Sequence, residues 1–188
     1  DPRSWDNALK NTLRQAPDVN SIGEISDRAT MEYAMSFAET GHLCVSTPHA
    51  NNANQALERI VNFFPEERHA QLLMDLSLNL IGILSQRLIV SSIGARCAAI
   101  EVLLASPLVK DLILQGDVLS LKDVMEKSVD RGMKTFDQAL LGVCQAGKHA
   151  EEAALGNAGS ANNLRLKIKL ANDGRVGGGT GLSLEGSE

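Results

Sequence analysis

Two segments of the 188-residue chain hold the side chains that could do chemistry: DVNSIGEISD at residues 18–27 and TGHLCVSTPHANNA at residues 40–53. Glu24 follows an apolar run and a glycine. A carboxylate at the tip of a strand can hold a metal-bound water or take its proton. Gly23, lacking a Cβ, lets a ligand approach the backbone closely. His49 ends the second apolar run, where an imidazole can hydrogen-bond or sense a phosphate. His42 starts that run and reads as a structural side chain. A zinc pair of His42 and His49 is disfavoured, because seven residues is not a helical or hairpin ligand spacing and no Cys or carboxylate ligands accompany them.

Positioning these residues requires two strands with a helix between them. Residues 18–25 and 42–47 read as strands, and Leu43, Cys44 and Val45 form a continuous apolar run of the kind found in strands covered on both faces. Between them, Met31, Ala34, Met35 and Ala38 recur at helical spacing, Asp27 or a neighbour can cap, and Gly41 sits where a helix-ending glycine belongs. A strand–helix–strand order with polar residues at the strand tips is how α/β sheets build ligand sites. Upstream, Ser4 can cap a helix that stops at Pro17. Downstream, residues 54–64 and 66–84 read as helices, and residues 86–91 and 95–104 as a hairpin. Beyond Pro107 the pattern is helical, over residues 108–115, 120–129, 135–146 and 150–157. The Gly-rich end, from residue 171, reads as flexible. The composition shift near Ser106 is the boundary, giving an α/β part over 1–105, a helical domain over 106–160 and a tail over 161–188.

Composition is that of a globular chain with 44% hydrophobic and 22% charged residues, but only 3% aromatic. The core must therefore rest on aliphatic residues and Met. A net charge of −5 argues against a nucleic-acid or membrane-surface footprint. Cys44, Cys97 and Cys144 are far apart and odd in number, so neither a disulfide framework nor a zinc site is supported. Residues 142–149 (GVCQAGKH) have the spacing of a phosphate loop but end in His and continue an amphipathic helix. The Gly-rich tail has no Lys-Ser/Thr ending. Neither is read as a nucleotide cradle.

The run from Ile22 to Leu80, with ALKNTLRQAPDV, AAIEVLLASPLVKDLI, GMKTFDQAL and SANNLRLKIKL around it, resembles the type II/IV secretion ATPase superfamily. Within it the chain is most similar to the type IV pilus retraction ATPases of twitching motility, the PilT/PilU group, and is PilU-like. The likeness covers about residues 4–170. It implies the C-terminal portion only: a partial RecA-like (P-loop NTPase) sheet lacking the Walker A part, followed by a C-terminal helical domain.

On this resemblance residues 18–27 are a Walker B segment, with Glu24 orienting or activating the water that attacks the γ-phosphate and helping to place Mg2+, with no direct protein metal site. Residues 40–53 are a His box, with His49 reporting the γ-phosphate. Gly23, Asp27, His42 and Thr47 support the nucleotide site. The implied activity is ATP hydrolysis coupled to pilus retraction. The implied partners are a homo-hexamer or mixed motor ring, a related retraction ATPase and the inner-membrane pilus platform protein. No nucleic-acid binding and no membrane insertion are expected. The implied location is cytoplasmic, peripheral at the inner membrane.

Departures from the pattern sharpen these expectations. Ser26 replaces a usual Arg, Asn20 and Ser21 fill strand positions that are normally apolar, Pro48 replaces a usual Leu, and Leu114 stands where Arg is frequent. The polar strand positions predict a weakened or locally solvated strand. No G-x-x-x-x-G-K-[ST] occurs, so the chain reads as a piece of a longer protein that does not bind ATP usefully alone. Missing strands predict exposed apolar surface. Two alternatives stay open: a non-hydrolysing accessory or assembly subunit of a motor ring, and a stand-alone module binding metal or ligand through His42 and His49.

Overall fold

The computed structural model describes residues 11, 12, 15, 17–90, 94, 96–146 and 151–176. The expected first helix falls mostly outside these, although residues 11, 12 and 15 are helical. Contacts divide the chain into two compact units, one of residues 1–85 and 101–134, the other of residues 86–100 and 135–188. This division differs from a single boundary near Ser106: a hairpin leaves the first unit at Ser85 and re-enters it at Glu101, a long-range connection that composition does not reveal.

The first unit opens with β1 (Val19–Ile25), α1 (Arg28–Glu39) and β2 (Leu43–Pro48). β1 and β2 pair in parallel. Parallel neighbours need a crossover, and α1 supplies it. Asp27 starts α1 by accepting the Thr30 N–H at 2.8 Å. The helix ends in a Schellman arrangement, in which the Gly41 N–H donates to Ala38 O and the His42 N–H to Phe37 O. Gly41 has φ 87°, which glycine adopts without strain. α2 (Ala53–Asn62) and α3 (Glu66–Asn79) follow, then β3 (Gly82–Val90), β4 (Arg96–Leu104), α4 (Pro107–Leu114) and α5 (Leu121–Lys127). Ile22 and Ile25, Met31 and Ala34, Leu57 and Ile60, Leu72 and Leu76, and Ile113 and Met125 form one buried cluster of this unit.

In the second unit α6 (Phe136–Gln145), α7 (Glu151–Leu155) and α8 (Ala161–Val176) gather around Ile89, Phe136, Leu140, Leu164 and Ile168. Thr135 opens α6 with a capping box to Gln138. The Arg87 guanidinium lies 4.3 Å from the Phe136 ring centroid and donates to Asn157 O at 2.7 Å. Residues 142–145 continue α6, so the phosphate-loop spacing begins on a helix; residues 147–150 lie outside the described residues.

Three expectations are corrected. The helix expected over 66–84 ends at Asn79, and Leu80 is already extended with ψ 126°. Leucines at helical spacing continue past that point, but Gly82 belongs to β3, where an added Cβ would stand 2.8 Å from the Leu103 carbonyl. β2 is not covered on both faces, since Leu43 is 41% and Val45 52% exposed. Strand alternation turns Cys44 and Ser46 the other way, into the half-buried side. The tail expected from residue 161 is helical through Val176, because Leu164 and Ile168 are spaced one turn apart and buried. Residues 177–188 lie outside the described residues.

Candidate functional site

The pairing of β1 with β2 explains how Glu24 reaches solvent. Ile22 pairs with Ser46 and Ile25 with Pro48, so three steps on β1 match two on β2. One residue too many on β1 is a β-bulge. In a regular strand Ile22 and Glu24 would share a face, and Ile25 would point the other way. The bulge instead leaves both Ile22 and Ile25 buried, with Gly23 and Glu24 exposed between them. An added Cβ at Gly23 would meet nothing within 4 Å. The packing of this chain therefore does not demand glycine there, and the space in front of it is open.

His49 follows directly after β2. Its Nε2 lies 2.9 Å from Glu24 Oε1, with the side chains 63% and 51% exposed. The structure thus brings together the two residues singled out from separate segments. An exposed pair of this kind contributes about 0–1 kcal/mol to stability. The pair lies at the carboxyl ends of two parallel strands, the edge where open α/β sheets bind ligands.

The backbone around His49 is held by several groups. Arg59 Nη1, on α2, donates to His49 O at 3.0 Å, and the Arg59 guanidinium lies 5.9 Å from the Phe63 ring centroid. Asn52 caps α2 by accepting the Gln55 N–H at 2.8 Å, while Gln55 Oε1 accepts the Asn51 N–H at 3.3 Å. The buried Glu101 on β4 accepts the Ala53 N–H at 2.8 Å. Sequence reasoning missed Arg59 and Glu101. Arg59 has no distinguishing local pattern. Glu101 has one: it is a lone acid inside the apolar run from Ala98 to Leu104.

The remaining candidates fall elsewhere. Asp27 is engaged with the start of α1, and the Thr30 backbone N–H, reinforced by the Thr30 side chain, holds its carboxyl below the usual range. Thr47 is exposed on β2, in the register gap opposite the bulge. His42 lies at the other end of β2, with Nδ1 2.9 Å from Thr40 Oγ1 and its ring edge-on to Phe37. Seven residues of nearly extended chain span roughly 20 Å or more, so His42 and His49 cannot share a metal. Among the described residues no group of three or more His, Cys, Asp or Glu could hold a metal ion. The expected weak point of β1 is confined to Asn20, which is buried with Nδ2 lacking a hydrogen-bond partner. Ser21 is exposed, so it carries no such cost. Pro48 closes β2 at its last residue, a place where its missing N–H breaks no further ladder.

The bulge thus leaves an exposed carboxylate and an exposed imidazole in hydrogen-bond contact at one open sheet edge.

Comparison with known proteins identifies the family and the fold. Residues 3–153 match the family described as type II/IV secretion system protein. The chain is 57% identical to the type IV pilus ATPase PilU of Pseudomonas aeruginosa over 174 residues, which is 92% of this chain and 46% of that protein. It is 34% identical to the type IV pilus retraction ATPase PilT of the same organism, over 82% of this chain and 45% of that protein. Among solved structures, that of the pilus retraction motor PilT with bound ADP superposes with a TM-score of 0.77 at 33% identity, covering 85% of this chain and 45% of that one. The chain thus spans about half the length of the curated relatives it matches. Its fold is mixed α/β and corresponds to part of an ATPase of this type.

Proposed function

The chain belongs to the type II/IV secretion system protein family, and from that premise we propose that it forms the hydrolysis side of a motor ATPase that couples ATP turnover to type IV pilus retraction. The single observation that carries this reading is the 2.9 Å contact between Glu24 and His49 at the open edge of β1 and β2.

Each residue has a distinct task. Glu24 Oε1 or Oε2 accepts a hydrogen bond from the attacking water and orients it, and can take its proton. His49 Nε2 shares Glu24 in the resting arrangement. It moves to a phosphate oxygen when one is present, which frees the carboxylate for the water. Because Arg59 holds the His49 carbonyl, this exchange is passed to α2. Gly23 keeps the approach open, Thr47 lies opposite the bulge, and Asp27 serves the arrangement only by starting α1. Bound Mg2+ supplies charge neutralisation at the phosphate oxygens, and Glu24 is the one acid at the pair that could reach it through a water. The phosphate grip comes from residues outside this chain.

Motors of this kind work as rings. We therefore assign the chain to a hexamer or mixed ring with a related retraction ATPase, seated on the pilus platform at the cytoplasmic face of the inner membrane. Among the described residues no helix is long and apolar enough to cross a membrane.

The test is ATP turnover by the full-length protein. Glu24→Gln keeps the shape and removes the base, and is expected to lower kcat by about 10²–10⁴-fold with KM little changed. Undiminished turnover would contradict the assignment. A second reading, a non-hydrolysing ring subunit, is favoured by the unpaired Asn20 amide inside β1. It predicts no measurable turnover in the unsubstituted protein.

A further inference from the structure

Glu101 is only 5% exposed, on β4, and the N–H it accepts lies forty-eight residues away in sequence. A carboxylate withdrawn from water this far is costly unless charged hydrogen bonds replace its hydration. Here one of them comes from Ala53, the fully buried first residue of α2. The first N–H groups of a helix have no partner within it. Asn52 serves that of Gln55, as a local cap does. That cap fixes where α2 starts, but not where α2 lies against the sheet. The Glu101 bond ties the same helix end to β4. From α2, Arg59 in turn holds the His49 carbonyl at 3.0 Å.

The structure assigns Glu101 as a positioning residue for His49, acting through Ala53, α2 and Arg59 and touching neither the phosphate nor the water. The assignment rests on the reading of Glu24 and His49 given above. It also makes a claim that stands apart from turnover: the Glu24–His49 contact persists only while β4 anchors α2. The bond to Ala53 needs an acceptor at Oε1, and an amide oxygen supplies one.

The test compares Glu101→Gln and Glu101→Ala in the full-length protein, each with and without Glu24→Gln. The contact is read from the His49 ring nitrogen resonances, as their displacement on Glu24→Gln. The anchor is read from hydrogen exchange at the Ala53 amide. In Glu101→Ala, Ala53 exchange is expected to rise about tenfold or more, and Glu24→Gln no longer to displace the His49 ring signals. Glu101→Gln restores both. Amides of α1 keep their protection in both variants, which separates loss of the anchor from general unfolding. In turnover, Glu101→Ala lowers kcat by about tenfold at nearly constant KM, and Glu101→Gln recovers it. If Glu101→Ala stays folded and its His49 signals still respond fully to Glu24→Gln, the assignment is overturned. It is equally overturned if Glu101→Gln fails as badly as Glu101→Ala. If Glu24→Gln itself leaves turnover intact, the functional reading fails, while the exchange and ring measurements still decide the role of Glu101.

Discussion

Replacing Asn20 by Val should make this protein more stable. Asn20 lies in β1 opposite Cys44, between the exposed Val19 and Ser21, and only 7% of it is accessible. Its Nδ2 has no hydrogen-bond partner. In the unfolded chain that NH2 group is hydrated, so folding strips it of water and returns no hydrogen bond to it. The cost of such a group is about 1–3 kcal/mol. Valine removes the orphaned donor, places an apolar side chain beside the Ile22 and Ile25 cluster, and suits a strand. A gain of about 1–2 kcal/mol is expected, the lower part of the range because valine fills the site less completely. For a chain of this size that is about 2–8 °C in the melting midpoint. Because contacts divide the chain into two units, a global melt is supplemented by hydrogen exchange at Ile22 and Ile25, which reports on β1 itself. Asn20→Asp, which buries a charge in the same place, should be destabilising. A midpoint for Asn20→Val at or below that of the parent would refute the reasoning, since it would mean the amide is satisfied in solution.

Two further predictions concern local structure. Asp27→Ala removes the cap of α1 and should cost about 1 kcal/mol at neutral pH. Since the folded state lowers the Asp27 pKa, the cap's contribution is present above the ordinary carboxylate range and lost as pH falls through the lower folded value. The stability difference between parent and variant should therefore shrink in acid, which denaturant titration at a series of pH values will show. Gly82→Ala should cost about 1–3 kcal/mol, because its Cβ would sit 2.8 Å from a backbone oxygen that cannot swing aside. Equal denaturation midpoints for Gly82→Ala and the parent would count against the close approach of Gly82 to the Leu103 carbonyl.

The site was legible in the chain to the extent that it depends on local pattern. Glu24 and His49 each end an apolar run, and runs of that kind mark strands. Gly41 and Asp27 announced the ends of α1 for the same local reason. The bulge was not legible, because it exists only in the match of β1 against β2, three residues to two between Ile22 and Ile25. Nor was the anchoring of α2 by Glu101, which joins positions forty-eight apart. Leu80 and Leu84 misled because leucine at helical spacing is equally compatible with a strand. The informative residue there was Gly82, and what it avoids is a contact with a distant carbonyl. α8 was hidden by the glycines that follow it, although Leu164 and Ile168 already had helical spacing.

The central claim is that Glu24 and His49 act as one unit on the attacking water. A double-mutant cycle in ATP turnover by the full-length protein tests it most directly, using Glu24→Gln, His49→Ala and the pair together. The account predicts strong non-additivity: each single substitution lowers kcat by about 10²-fold or more, and the double variant is little worse than the poorer single. Losses that simply multiply, or a His49→Ala variant with parental kcat, would contradict it.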